Sequence, residues 1–417
     1  MGQFFRTKWI MGLQLLLCSA LICFLVIATF PRALAAEAVF PILPGLEGAV
    51  EFWKQIFTRY GASEVVFFDP GDHGRIYSVL RGVPEGDEGR VVIERERARI
   101  VAEHDLNEPD GRVRSQRGVK EQFISGLRIS GRYMSQMRKI FRDEGLPVEL
   151  AYLPLVESSF NVRARSSAGA VGMWQFMPET GKKFLLISDA VDERRDPLVS
   201  TRAAARLLKQ NHRLLGNWPL AVTAYNHGTE GIFRAMDTVG TQDLVEIIRR
   251  YQSPTFGFAS KNFYAEFLAA VSIAKNSDAY FPSLRPHSPL NLREIEIKRP
   301  LPIHSLLRPT AVSHGDFLEW NPAISPAASI IPAGYRVKVP PEKADRFAIA
   351  QRRMLETQTE KKVAAVTKPT NGGSRSGKTV SSSQKAVSRA ASAARQASRS
   401  SGSKGITVAR SLKVANR

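Results

Sequence analysis

The chain of 417 residues carries 59 Lys and Arg against 39 Asp and Glu, a formal net charge of +20, and 43% of it is hydrophobic. This length and composition are typical of two or three domains with full cores. Both cysteines, Cys18 and Cys23, lie near the N-terminus, which excludes a disulfide framework from the rest of the chain.

The N-terminal segment has the pattern of a secretion signal. Arg6 and Lys8 precede an apolar run from Trp9 to Phe30, and Ala33-Leu34-Ala35 fits a small-residue cleavage site. We therefore predict a signal peptide over 1–35 and a location in the periplasm or cell envelope. The run is also long enough to cross a bilayer, so a retained membrane anchor is the alternative.

Residues 36–114 read as an irregular lead-in that packs on the following domain. A helix is expected from Glu51 to Tyr60, and the run Val65-Val66-Phe67-Phe68 is broken by Asp69-Pro70-Gly71. A charged stretch from Val91 to Ala102 follows.

Residues 115–280 have the apolar spacing of helices. The pattern predicts helical segments over Gln116 to Glu144, from Ser200-Thr201 to a closing Gly216, and over Tyr264 to Asn276. We therefore expect a mainly α domain with a groove between its helices.

Glu157 directly follows an apolar run. One helix from Leu146 to Phe160, with Pro147 at its first position, would put Glu157 at the end of an apolar stripe; Pro154 favours two shorter pieces instead. Burial would raise the pKa of such a carboxyl and suit it to acid catalysis. The alternative is a solvated glutamate at a helix end.

Three further groups of residues follow in order. Residues 166–181 are rich in small residues and contain Met173, Trp174 and Gln175, a composition suited to a tight turn under a sugar, with the indole available for stacking. Next come Ala224-Tyr225-Asn226-His227-Gly228 and then Asn262-Phe263-Tyr264.

These motifs resemble the lytic transglycosylases with a soluble-lytic-transglycosylase-type catalytic domain, most closely the membrane-bound type D branch. The matching residues are Glu157-Ser158, Gly172-Met173-Trp174-Gln175, the Ala-Tyr-Asn-His-Gly run at 224–228 and Tyr264. Asp192 to Pro197 resembles the D-E-R-R-D-P run of that branch. Met173 and His227 depart from its usual residues.

The resemblance implies a lysozyme-like helical catalytic domain that cleaves peptidoglycan without water. Glu157 would act as acid and then as base at the β-1,4 bond between N-acetylmuramic acid and N-acetylglucosamine, leaving 1,6-anhydromuramyl ends. The substrate-binding residues would be Ser158, Met173, Gln175, Tyr225, Asn226 and Tyr264. Tyr225 would donate its phenol to Glu157 or to the substrate. No metal ion or other cofactor is expected.

Other acids between the motifs could supply a second carboxylate. Asp192, Glu193 and Asp196 alternate with arginines, which favours a structural ion-pair cluster, and Glu179 follows Pro178 as at a helix start. All four are left out of the predicted catalytic set.

After the helical domain, residues 290–342 resemble a degenerate LysM module with β-α-α-β order. It either binds glycan or only braces the catalytic domain. Residues 355–417 read as a disordered basic tail; its part from Lys361 to Arg417 has thirteen Lys and Arg and no Asp or Glu. Anionic envelope polymers are the partners that suit this tail. The secretion signal argues against nucleic acid as a partner.

The expected partner of the whole protein is the glycan strand of peptidoglycan, with membrane contact only if the N-terminal segment is retained. Two alternatives stay open: a non-catalytic peptidoglycan-binding scaffold, and a lysozyme-type hydrolase. The hydrolase would need a second carboxylate near the cleft.

Overall fold

The computed structural model describes residues 39–106 and 112–366. The predicted signal segment, 1–35, and the tail beyond residue 366 lie outside this range. The chain divides into two compact units, Met1–Pro41 and Ile42–Arg417, and all elements below belong to the second. Over 39–106 and 112–366, no helix combines the length and apolar character needed to cross a bilayer.

The segment predicted to be irregular forms a compact α+β arrangement, so this prediction was wrong. Three antiparallel strands lie in the order β2-β1-β3, and Val65 pairs with Leu80 on one side and with Arg117 on the other. The elements in chain order are α1 (Glu47–Thr58), β1 (Val65–Asp69), β2 (Asp72–Leu80), α2 (Gly86–Glu103) and β3 (Arg114–Arg117).

The strand β1 explains why the prediction failed. All five of its residues are buried, so the alternation that marks a half-exposed strand is absent from the sequence. The break seen at Asp69-Pro70-Gly71 is the hairpin turn itself, in which the Gly71 N–H donates to Asp69 Oδ1 at 2.8 Å.

Twelve short and long helices build the segment from 120 to 280, which is mostly helical as predicted. They are α3 (Lys120–Ser130), α4 (Met134–Asp143), a 3-10 helix (Val148–Tyr152), α5 (Leu153–Glu157), α6 (Pro178–Gly181), a 3-10 helix (Glu193–Arg195), α7 (Pro197–Leu215), α8 (Trp218–His227), α9 (Thr229–Val239), α10 (Leu244–Arg250), α11 (Phe258–Lys275) and α12 (Ser277–Tyr280).

Several predicted helix boundaries need correction. The segment predicted to be helical from Gln116 to Glu144 begins in strand β3, which ends at Arg117, and its helical part is two helices, α3 and α4. Helix α7 begins at Pro197 rather than at Ser200-Thr201, because Asp196 accepts hydrogen bonds from the first-turn amides and so caps it. Its end is as predicted: Gly216 has a φ of 80°, a left-handed conformation that favours glycine. Helix α11 begins at Phe258, six residues before the predicted start at Tyr264.

The first α+β arrangement packs on α11 and α3. The Trp53 indole of α1 donates to Asn262 Oδ1 at 3.0 Å, and the rings of Phe57 and Phe123 stack with centroids 4.7 Å apart. Helix α11 is thus covered on one side by the N-terminal elements.

The C-terminal elements are two strands, three short helices, two further strands and a long helix, and the first and last of these strands pair antiparallel from Arg293–Val339 to Glu296–Arg336. They are β4 (Arg293–Glu296), β5 (Leu301–Pro302), α13 (Ile303–Leu307), a 3-10 helix (Arg308–Thr310), α14 (His314–Trp320), β6 (Ile330–Ile331), β7 (Arg336–Val339) and α15 (Pro341–Val366). The relation of these elements to LysM modules stays a prediction.

Helix α15 runs into the tail that was predicted to be disordered from residue 355. It is anchored by Ala344, Phe347 and Ala350, which are buried in the core of the C-terminal elements. The helix continues from this anchor to Val366, and residues 355–366 of the predicted tail are therefore helical.

Candidate active site

The segment before Glu157 is two short helical pieces and not one helix. The 3-10 helix Val148–Tyr152 is followed by α5, which has Pro154 in its first turn and ends at Glu157. Pro147 lies before the first piece rather than at its first helical position. Pro154 lacks an N–H to continue the earlier turn, which explains the break.

The chain leaves α5 in a strained conformation. Ser159 and Phe160 have φ values of 52° and 60°, and Gln175 has a φ of 49°. Non-glycine residues rarely adopt this left-handed region, and such strain tends to cluster at functional sites. Here two of the strained residues follow α5 directly, and the third lies inside the loop at 172–175.

Hydrogen bonds join the three predicted motifs. Ser158 Oγ donates to the Met173 carbonyl at 2.9 Å, and the Tyr225 hydroxyl donates to the Trp174 carbonyl at 2.9 Å. Within the loop, Gln175 Nε2 donates to the Gly172 carbonyl at 2.7 Å. The structure therefore brings Glu157-Ser158, the 172–175 loop and Tyr225-Asn226 together, although Tyr225 donates to the loop and not to Glu157.

The predicted D-E-R-R-D-P run supports this loop from behind. The Arg194 guanidinium donates to the carbonyls of Gly169 and Phe176 at 3.2 and 3.3 Å and pairs with Asp192 at 2.8 Å. Gly172 is so close to this run that a Cβ there would lie 1.8 Å from the Arg194 carbonyl oxygen. The run is structural, in agreement with the ion-pair interpretation.

Two predicted substrate-binding residues, Met173 and Tyr264, and the neighbouring Trp174 have almost no accessible surface, and a side chain without accessible surface does not touch a ligand in this conformation. Met173 and Tyr264 are each 1% exposed. Trp174 is fully buried, and its indole N–H donates to Thr201 Oγ1 at 2.9 Å, so no ring face is open for a sugar. These side chains form the wall behind the site.

The electrostatics of Glu157 match those of a general acid. Glu157 is 6% exposed, and the pKa of its carboxyl is raised well above the ordinary value, first by burial and then by the charge of Glu266. Burial also raises the pKa of Tyr225, with a further contribution from the charge of Glu157. Glu157 thus keeps its proton to higher pH than an exposed glutamate.

Glu266 was missed from the sequence. It lies in α11, is 4% exposed, and burial raises its pKa to about 8. The signal was available: Glu266 is an acid inside the apolar run from Phe263 to Val271, the same pattern that drew attention to Glu157.

A hydrogen-bond chain fixes the Asn226 amide. Ser260 Oγ donates to Asn226 Oδ1 at 2.9 Å and lies 3.3 Å from His227 Nδ1. Because the single hydroxyl proton is used toward Asn226, the His227 Nδ1–H must donate to Ser260 and Nε2 carries no proton. Burial lowers the pKa of His227 to about 4, which agrees with a neutral ring.

Comparison with known proteins confirms the predicted resemblance. Residues 137–248 match the family described as the Transglycosylase SLT domain. This range contains Glu157, the 172–175 loop and Tyr225-Asn226.

The chain is also similar to the membrane-bound lytic murein transglycosylase D of Escherichia coli K12. The two are 35% identical over 150 residues, which is 36% of this chain and 32% of that protein. The protein of the same name from Escherichia coli O6:H1 matches to the same extent. The chain thus spans about a third of the length of these curated relatives.

Among solved structures, the lytic transglycosylase Slt from Pseudomonas aeruginosa, in an inactive mutant form, is similar to part of the chain. The identity is 23%, the match covers 35% of this chain and 24% of that one, and the TM-score is 0.29.

Proposed function

We propose that the protein is a peptidoglycan lytic transglycosylase and that Glu157 is its catalytic residue. The observation that supports this best is a buried carboxyl with a raised pKa at the junction of three motifs, inside the range that matches the SLT domain. A carboxyl of this kind can hold a proton near neutral pH and release it to a substrate oxygen.

In the proposed reaction, Glu157 first protonates the β-1,4 glycosidic oxygen between N-acetylmuramic acid and N-acetylglucosamine, and the bond from this oxygen to C1 breaks. The Glu157 carboxylate then removes the proton of the muramyl 6-hydroxyl, whose oxygen bonds to C1. The products are a 1,6-anhydromuramyl end and a free N-acetylglucosamine end. The proton returns to Glu157 and no water is consumed.

The other site residues hold the substrate or the loop in this proposal. The amides of Gln175 and Asn226 offer donors and acceptors for acetamido and hydroxyl groups. Ser158 and Tyr225 act by fixing the 172–175 loop, as their hydrogen bonds to its carbonyls indicate. Met173 and Tyr264 contribute from behind, as packing.

The proposed place of action is the cell envelope. The curated relatives are named membrane-bound, and peptidoglycan lies in that compartment. We expect the glycan strand to be the partner, with anionic envelope polymers as partners of the basic tail.

The test is digestion of intact peptidoglycan sacculi by the chain from Ala36 onward, beside its Glu157→Gln variant, with released muropeptides identified by mass spectrometry. The wild type should release fragments that are one water lighter than hydrolysis products. The variant should lose about 10²–10⁴-fold in rate, the usual contribution of a general acid. Binding of sacculi without any release by the wild type would contradict the proposal and favour a scaffold.

Lysozyme-type hydrolysis is the second candidate, and Glu266 is the observation that favours it. A hydrolase needs a second carboxylate to activate water or to act as nucleophile. Glu266 is a buried carboxyl whose charge raises the pKa of Glu157. Release of reducing muramyl ends in the same digestion would favour hydrolysis over the transglycosylase reaction.

A further inference from the structure

A cavity of about 300 Å³ lies between the helical segment and the C-terminal elements. Its volume is at the lower end of the range for small-molecule sites. Helices α4 and α7 contribute to one wall, and β4, α14 and β7 contribute to the other. Glu157, Gln175 and Asn226 are not among the residues that line it, so the cavity is separate from the candidate active site.

Hydrogen bonds and a buried ion pair hold the walls of this cavity together. Gln136 Nε2 donates to the Leu290 carbonyl at 3.0 Å, and the Leu290 N–H donates to the Arg132 carbonyl at 3.1 Å. The buried pair of Asp196 and Lys338 joins α7 to β7 at the same cavity. These contacts fix the walls relative to each other, and a preformed site loses less entropy on binding.

The lining combines aromatic and apolar side chains with polar groups. Trp320 and Tyr133 are half-buried, so part of each side chain remains accessible. Leu198, Leu290 and Pro322 line the cavity with them. A pyranose ring has C–H groups on its faces and hydroxyls at its edge, so a sugar matches this combination of an aromatic ring, apolar surface and a few polar groups.

An ion pair at the cavity has a geometry that suits a ligand with hydroxyl groups. Arg202 Nη2 and Glu294 Oε1 are 3.9 Å apart, which is too far for a direct hydrogen bond. A hydroxyl both donates and accepts, so a hydroxyl placed between the two side chains can bond to both. The Glu319 carboxylate likewise lies 3.9 Å from the guanidinium of Arg132.

The charges of the lining favour a neutral ligand. Two cations, Arg202 and Lys338, and three acids, Asp196, Glu294 and Glu319, border the cavity. Each of them lies no more than 3.9 Å from a partner of opposite charge. Such a lining attracts neither a polyanion nor a polycation strongly. The site therefore differs from the basic tail, for which anionic polymers are the expected partners.

A second cavity, of about 480 Å³, adjoins the first. The two cavities share Arg202, Glu294 and Lys338 in their linings, so the long Arg202–Glu294 pair borders both. Space on both sides of one polar pair suits a ligand of more than one sugar ring.

We propose that these two cavities form a second saccharide site, which binds a neutral oligosaccharide with one sugar against Trp320 and hydroxyls between Arg202 and Glu294. Binding there requires no turnover, and it holds a glycan strand at a place other than Glu157. The site stands on its own geometry. Only the identification of its saccharide as a strand of peptidoglycan rests on the proposed function.

The test is a titration that needs no turnover. Full-length Glu157→Gln protein, labelled with ¹⁵N at its tryptophan indoles, is titrated by NMR with a soluble β-1,4 oligomer of N-acetylglucosamine. The Trp320 signal, assigned by its loss in Trp320→Ala, should shift and saturate. The signal of Trp53, whose indole donates to Asn262 inside the fold, should stay in place.

Two substitutions on opposite walls test the position of the site. Arg202→Ala should raise the Kd read from the Trp320 signal by about tenfold, as truncation of an interface anchor does. Trp320→Ala should weaken the binding event with the same Kd in calorimetry to a similar extent. The matched controls are Arg206→Ala, at the next turn of α7, and Trp218→Ala, at another half-buried indole; neither residue lines a cavity described above, and both should leave the Kd unchanged.

Each outcome supports or overturns the site. A Trp320 signal that the oligosaccharide does not shift overturns it, and so does an equal Kd in Arg202→Ala and Arg206→Ala, which needs no substitution at Trp320. A shift caused by a short acidic peptide or by polyphosphate, and not by the oligosaccharide, would replace the saccharide with another occupant and overturn the inference.

The failure of this inference and the failure of the proposed function are distinguishable. A wild type without lytic activity, together with a Trp320 signal that shifts in Glu157→Gln, overturns the proposed function and leaves the saccharide site in place. A lytic wild type with an unshifted Trp320 signal does the reverse.

Discussion

Asp196 and Glu157 are both buried carboxyls, yet the protein surrounds them in opposite ways. Asp196 is fully buried, and its oxygens accept from the N–H groups of Leu198 and Val199 and pair with the Lys338 ammonium. Around Glu157 the influences on the pKa are burial and the like charge of Glu266.

The difference indicates what each site is for. A buried carboxylate that pairs with a cation and accepts from backbone amides is compatible with a structural role. Asp196 pairs with Lys338 and so ties the start of α7 to strand β7. A buried carboxyl without such compensation lowers stability, and folds keep such groups where chemistry needs a shifted pKa.

Breaking the buried pair of Asp196 and Lys338 should have the largest effect on stability. Replacing Lys338 by Met removes the cation but keeps an unbranched side chain, and it leaves Asp196 buried and unpaired. We expect the free energy of unfolding to fall by about 3–5 kcal/mol, as when one partner of a buried ion pair is removed. Urea denaturation measures this change.

The matched control for this variant is Lys139→Met. It breaks an exposed pair with Asp143 at 2.6 Å and should cost less than about 1 kcal/mol. Equal losses in the two variants would show that burial of the Asp196–Lys338 pair adds nothing.

Removing the carboxyl charge of Glu266 should stabilise the fold, and the size of this effect should depend on pH. The pKa of Glu266 is about 8 in the folded protein and near the ordinary glutamate value of about 4.3 when unfolded. Between these values the folded state holds a proton that the unfolded state has released. The contribution of Glu266 to stability is therefore fully present below its unfolded pKa, and it is lost as pH rises toward 8.

Glu266→Gln should remove this loss of stability at high pH. At pH 4 the variant and the wild type should have similar melting temperatures, and at pH 8 the variant should melt several degrees higher, corresponding to a few kcal/mol. Calorimetry at the two pH values measures the difference. A constant offset at both values would mean that the substitution acts through packing and not through the charge.

The contrast between the two sites also shows what could be predicted from sequence. Glu157 was indicated by its position directly after an apolar run, and Gln175 and Asn226 by short motifs that resemble those of the lytic transglycosylases. Helices were indicated by apolar periodicity. The wholly buried strand β1 was missed because its continuous apolar run lacks a period.

Contacts between distant segments account for the remaining errors. Met173 was predicted to bind substrate, and the place of Trp174 was left open between cleft and core. Whether such a side chain faces the cleft or the core depends on the neighbouring elements, for Trp174 on Thr201 of α7. Glu266 was missed because its importance comes from the packing of α11 on α5, more than a hundred residues apart in sequence.

The smallest predicted effect concerns Asn226. Like the carboxyl of Asp196, its side-chain oxygen accepts a hydrogen bond, but Asn226 is one of the proposed substrate-binding residues. Ser260→Ala removes the hydroxyl that donates to Asn226 Oδ1 and accepts from His227. The amide then loses one of the contacts that orient it, and a neutral hydrogen bond contributes about 0.5–1.5 kcal/mol. We expect digestion of sacculi to slow by up to about tenfold.

The pH dependence of the Ser260→Ala variant separates orientation of Asn226 from an effect on Glu157. The rate should fall by the same factor across the profile, because Glu157 and Glu266 are untouched. Ser253→Ala, at a half-buried serine that interacts with Thr255, should leave the rate unchanged. A shift of the alkaline side of the profile in Ser260→Ala would instead mean that the Asn226–Ser260–His227 chain acts on Glu157.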